Sequence, residues 1–169
     1  MRTVLMTFAC FAVLAGGVQQ ASAKTSPDDK VAYTVKVNSK VYGNSQATRQ
    51  IASGQTDDYT WKTTPPGGAV SLPGQCASGH DWPLDENGAL LRQTRVRLAP
   101  VVDASGTANV QLSFDALTPQ ASPKQDNASG ACPPVTASSD VVRFSLALNS
   151  KPKTLTLKDG TQVTVSAKP

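Results

Sequence analysis

Residues 154–165 read TLTLKDGTQVTV, and their register decides the fold. Asp159-Gly160 marks a turn between two alternating runs. Side chains directly opposite in an antiparallel pair share a face. A two-residue loop, Asp159-Gly160, would set Leu157 against Gln162 and Leu155 against Thr164. A three-residue loop, Lys158-Asp159-Gly160, sets Leu155 against Val163 and Leu157 against Thr161. Only the second gathers Leu155, Leu157, Val163 and Val165 on one face, because a one-residue slip turns a strand over. Such a loop is a type I turn followed by a left-handed residue, which Gly160 supplies at low steric cost.

The same alternation recurs upstream. KVAYTVKV puts Val31, Tyr33, Val35 and Val37 on one face, with Lys30, Thr34 and Lys36 opposite. ATRQIAS and DDYTWKT read as two strands around a turn at Gly54, with Tyr59 and Trp61 together. In LRQTRVRLAPVV, Val96 and Leu98 oppose Arg95 and Arg97. NVQLSFDAL aligns Val110, Leu112 and Phe114; VVRFSLAL aligns Val142, Phe144, Leu146 and Leu148. Helix formers are scarce, and Glu86 is the one glutamate. Seven to nine short strands without a convincing helix predict an all-β protein. The expected architecture is an antiparallel β-sandwich, immunoglobulin-like, over residues 30–169. Two stretches lack a period: residues 65–88 and 118–139.

The first 23 residues read as a leader removed on export. Arg2 is its positive start, residues 4–14 its apolar run, and Ala21-Ser22-Ala23 its cleavage site. The run is too short to span a bilayer. A lipidated Cys10 is a rival reading, weakened by the nine residues before it. Residues 24–29, KTSPDD, are expected to be a flexible start to the cleaved chain. No later run resembles a membrane span.

Of three cysteines, cleavage leaves Cys76 and Cys132. In an oxidising compartment two cysteines are most simply one disulfide. Each lies in one of the irregular stretches, so the bridge is expected to staple two long loops. It would close a loop of about 57 residues, worth roughly 4 kcal/mol in the chain-entropy account. The whole chain carries 16 Lys or Arg against 12 Asp or Glu, and losing Arg2 leaves a formal excess of three. That mild, scattered excess does not point to nucleic acid.

A leader, an alternating N-terminal strand, the segment QIASGQTDDYTW and the closing LKDGTQVTV together resemble small exported β-rich, immunoglobulin-like proteins of Gram-negative bacteria. Many of these have no assigned function. The resemblance implies periplasmic residence, or secretion to the cell surface, and carries over no catalytic residue.

Candidate sites centre on GQCASGHDW, residues 74–82, which holds Cys76, the single histidine and one of two tryptophans. His80 beside Asp81 could serve a hydrolase as a base. One histidine with oxidised cysteines does not make a zinc site. Asp85-Glu86-Asn87-Gly88 lacks the ligand spacing of a calcium loop. No G-x-S-x-G elbow appears, and Ser71 and Ser78 stand in other contexts. Neither cysteine lies in a C-x-x-C motif. No catalytic residue, metal or cofactor is therefore assigned. Tyr59, Trp61 and Trp82 could form a sugar-stacking platform, but strand alternation assigns the first two to the core, and Trp82 could instead pack on the disulfide. Arg95, Arg97 and Arg143 read as a solvated strand face. Asn127-Ala128-Ser129 matches a glycosylation sequon. His80, Asp81, Trp82 and Asn127 are the expected recognition surface.

The expected function is thus a non-enzymatic, monomeric binding module for a protein or glycan, because long loops in compact domains tend to be functional. The main alternative is a structural or assembly subunit that donates VAYTVKV to a neighbouring sheet edge.

Overall fold

The structure, a computed structural model, describes residues 30–77, 81–120 and 132–169. The expected leader and the KTSPDD segment lie outside the described residues. Ten strands occur among them: β1 (Lys30–Ser39), β2 (Gly43–Ala52), β3 (Asp57–Thr63), β4 (Val70–Ser71), β5 (Ala89–Leu90), β6 (Arg92–Val102), β7 (Thr107–Pro119), β8 (Val135–Ala147), β9 (Lys153–Thr156) and β10 (Gln162–Lys168). A single turn of helix, α1, spans Gly74–Ala77.

Two four-stranded antiparallel sheets carry the fold, one ordered β2-β1-β10-β9 and the other β3-β6-β7-β8. The alternation explains what lies between them. Val31, Tyr33, Val35 and Val37 from β1 and Val163 and Val165 from β10 are fully buried. They meet Tyr59, Val96, Leu98, Leu112 and Phe114 from the other sheet in one apolar cluster. Val142 and Phe144 of β8, and Leu148 just after it, flank this cluster half-buried, as suits a strand at a sheet edge. The polar partners of these residues face outward, so each sheet is wet on one side.

The antiparallel sandwich is as expected; an immunoglobulin-like order is not what the ladders show. Immunoglobulin sheets are joined by Greek-key crossovers. Here the hydrogen-bonded neighbours follow chain order, except that β3 meets β6 around the β4–β5 excursion and β1 meets β10. The strand order therefore runs around the molecule as in an up-and-down barrel flattened at two seams. ATRQIAS and DDYTWKT do form strands, but the turn between them passes from one sheet to the other. Gln55 N donates to Ala52 O, and Gly54 N to Pro100 O of β6.

Side chains bridge both seams. Between β2 and β3, Arg49 lies 5.7 Å over the Tyr59 ring and 3.6 Å from Asp57. Between β8 and β9, Lys153 lies 5.6 Å over Phe144 and donates to Ser145 O. Beyond it Lys158 pairs with Asp140 at 3.3 Å. Lysine and arginine at these edges hinder strand addition while tying the layers together.

The closing hairpin has the three-residue loop. Val163 stands opposite Leu155. Leu157 N donates to Thr161 O, Gly160 N donates to Leu157 O, and Gly160 has φ +82°.

Candidate functional site

Both irregular stretches emerge from one end of the β3-β6-β7-β8 sheet. Thr63 pairs with Arg92, Gln93 with Leu117, and Pro119 with Val135. Residues 64–91 and 120–134 thus leave and re-enter side by side. The β1–β2 turn belongs to the same end, where a Cβ on Gly43 would stand 2.7 Å from the Arg92 guanidinium.

Local chemistry shapes the first excursion. Pro65 and Pro66 remove ladder donors and stop β3. Gly67 and Gly68, at φ +92° and +101°, reverse the chain. The short β4 then pairs with β5, and Leu84 bridges to Leu90, whose side chain is fully buried. Asp85 turns the chain before β5: its Oδ1 accepts from Asn87 N at 2.9 Å and Ala89 N at 2.8 Å. The DENG segment that fails as a calcium loop is a hairpin turn. Among the described residues no group of three metal-ligating side chains occurs.

Cys76 sits in α1 and Cys132 three residues before β8. Their Cα atoms are 5.6 Å apart and their sulfurs are bonded. The staple therefore joins two loops at the end of one sheet, as the cysteine positions implied, and does not cross between the sheets. Cys76 is buried and Cys132 exposed. Trp82 is half-buried, and its Nε1–H donates to the Cys76 carbonyl at 2.7 Å. Its ring is thereby fixed beside the staple.

The other expected residues divide. Asp81 is exposed next to the staple. His80, Ser78 and Asn127 lie outside the described residues. Tyr59 is buried, with its hydroxyl donating to Tyr33 O at 2.8 Å, and Trp61 packs against the same core, so these two build no stacking platform. Arg97 forms a bidentate pair with Asp58 at 2.7 and 3.0 Å, and Arg143 donates to Gln111 at 2.9 Å, both along the outer sheet face. The Arg97 guanidinium holds the Asp58 carboxyl below the usual carboxylate range. A cleft missed in sequence opens in the cap that the two stapled loops form, between the end of β3 and the Asp85 turn, lined by Lys62, Thr63, Leu84, Glu86 and Leu91. Its signal was present: a lysine stands one residue before the end of β3 and an acidic turn precedes β5.

The cap thus offers exposed carboxylates, a cleft of mixed polarity and a covalently fixed loop pair. "Family of unknown function (DUF6013)" matches residues 1–169. The chain belongs to this family. No curated protein matches the DUF6013 chain. Among solved structures, it is similar to the InvG secretin domain β-barrel from the Salmonella SPI-1 injectisome NC-base, at a TM-score of 0.36 and 9% identity. That likeness covers 82% of this chain and 60% of the other. No helix among the described residues of the DUF6013 chain is long and apolar enough to cross a membrane. Its disulfide suggests an oxidising, non-cytoplasmic environment.

Proposed function

We propose that this DUF6013 member is an exported, monomeric, non-enzymatic binding module that works in the periplasm or at the cell surface. Its recognition surface is the stapled cap, and its ligand is a protein or a glycan. The observation that carries this reading is the convergence of two long loops on one end of the sandwich, 5.6 Å apart at the bridging Cα atoms. A covalent tie between loops lowers the cost of ordering them when a ligand binds. The exposed Asp81 and the Lys62–Glu86 cleft supply polar contacts.

The test compares two sets of variants in binding screens against glycans and co-purifying proteins. One set alters Asp81, Glu86 and Lys62; the other alters exposed residues at the opposite end, Ser105 and Lys151. Binding is expected to fall only in the first set. Ligand binding that survives every cap substitution refutes the proposal.

Strand donation by VAYTVKV is not favoured. β1 is hydrogen-bonded on both edges, to β2 and to β10, and its apolar side chains are buried. Donating it would open the centre of its own sheet.

A further inference from the structure

The charge that looks scattered along the chain is sorted by the fold. The two segments that build the β2-β1-β10-β9 sheet, residues 30–52 and 151–169, carry eight Lys or Arg and one carboxylate, Asp159. Residues 53–150, which build the other sheet and the cap, carry six Lys or Arg against nine Asp or Glu. One layer is cationic and the other mildly anionic.

The outer face of the cationic sheet is more one-sided still. Alternation from the buried valines fixes which residues it shows. Along the ladders, every outward position is Lys, Asn, Gln, Ser, Thr or Ala. Among the described residues no carboxylate and no aromatic ring stands on it. The hydroxyls partly satisfy one another, as Thr34 with Thr48 at 2.7 Å and Thr154 with Thr164 at 2.9 Å. Lys30, Lys36 and Lys168 are the charges of the face, all exposed. Lys168 stands opposite Ala32, which places it diagonal to Lys30. Such neighbours lie about 7–8 Å apart, and like charges this close repel unless an anion lies near. Among the described residues none of the three has a carboxylate partner.

We propose that this sheet face is a docking surface for an anionic lipid bilayer. Charge complementarity is the main argument. Shape is the second, since a broad sheet face with no aromatic residue suits a broad charged surface, and the cleft described above lies away from it, between β3 and the Asp85 turn. With only alanine among its apolar positions, the face adsorbs to headgroups and does not insert. Apart from Asp159 in the β9–β10 turn, the opposing carboxylates belong to the other layer, about 10 Å or more away and near the Debye length at moderate salt. They do not cancel the attraction there. This inference is independent of the cap as a recognition surface, and leaves the cap clear of the bilayer plane.

The experiment is co-sedimentation of the disulfide-bonded protein with vesicles of phosphatidylcholine alone, or with about one-quarter phosphatidylglycerol. Binding is expected only to the second and is expected to vanish in high salt. Lys36→Gln/Lys168→Gln should weaken it roughly twenty-fivefold, from about fivefold per lysine near an anionic surface. Arg95→Gln/Arg143→Gln removes the same charge from the other sheet and should change it little. Amine-reactive footprinting of the unaltered protein gives a second readout: vesicles should protect Lys36 and Lys168 and leave Lys62 open. The proposal is overturned by equal binding to neutral vesicles, by equal loss in both double variants, or by protection of Lys62 in place of Lys36. Binding to an acidic polysaccharide or to duplex DNA without binding to the anionic vesicles also overturns it.

Discussion

Two tyrosines in the core have the same ring and opposite hydroxyl chemistry. Tyr59 donates to Tyr33 O at 2.8 Å, whereas the buried Tyr33 hydroxyl has no hydrogen-bond partner in the structure. A made bond contributes about 1 kcal/mol, and a buried polar group without one costs about 1–3 kcal/mol. Tyr59→Phe is therefore expected to destabilise by about 1 kcal/mol, and Tyr33→Phe to be neutral or stabilising, as urea midpoints will show. Burial also pushes Tyr33 up to about 12 and raises Tyr59 further. The folded state thus holds these phenols neutral while the unfolded chain ionises near pH 10. Stability is full below about pH 10 and is lost as pH rises toward 12, with a shallower decline in Tyr33→Phe. The burial of both rings could be read from alternation. The fate of their hydroxyls could not, because it depends on which backbone carbonyl the opposite sheet brings within reach.

One turn design recurs at three places in the chain. Residues 85–89, 103–107 and 157–161 each place glycine fourth, with φ between +76° and +82°. In each, the glycine N–H donates to the first residue's carbonyl, and the first N–H to the fifth residue's carbonyl. Asp85 and Asp103 further cap their own turns through Oδ1. The hydrophobic register made the last of these legible, because Leu155 and Val163 had to share a face. The first was not legible, because the strands beside it, β4 and β5, are too short to alternate. Asp followed three residues later by Gly was the available signal. Gly88→Ala, Gly106→Ala and Gly160→Ala should each cost about 1–2 kcal/mol, since a Cβ is disfavoured at positive φ, and distant pairs should add. At the seams and edges, Asp140 is held below the usual carboxylate range by the Lys158 backbone N–H and ammonium, and Asp58 by Arg97. Depressed carboxylates stabilise above their unfolded pKa, near 4, and lose that contribution as pH falls through the folded value. Thermal scans in acid should therefore show a falling melting temperature, and Asp58→Asn/Asp140→Asn should flatten the decline.

At the scale of the molecule, the sandwich and its staple separate cleanly. The apolar cluster lies between the two four-stranded sheets, and the disulfide lies at one end of a single sheet. Cys76→Ser/Cys132→Ser should lose roughly 2–4 kcal/mol, with the far-ultraviolet β signal retained and new proteolytic cleavage confined to the cap. Collapse of the β signal would show that the staple supports the sheets. The layer count and the loop staple were legible in sequence from strand alternation and cysteine placement. The order of strands was not, because alternation says which face a residue occupies and nothing about its lateral neighbour. The charge partition was hidden for the same reason: it appears only when residues 30–52 and 151–169 become one sheet. That pairing also brings the two ends of the described fold together. Lys168 is the ladder partner of Ala32, so the described fold begins and ends on adjacent central strands, at the same end of the sheet. A linker of about four or five residues from 168 to 30 would close it into a ring. New termini could then be cut at an exposed loop tip such as residues 104–105, giving a circularly permuted protein with every ladder pair intact.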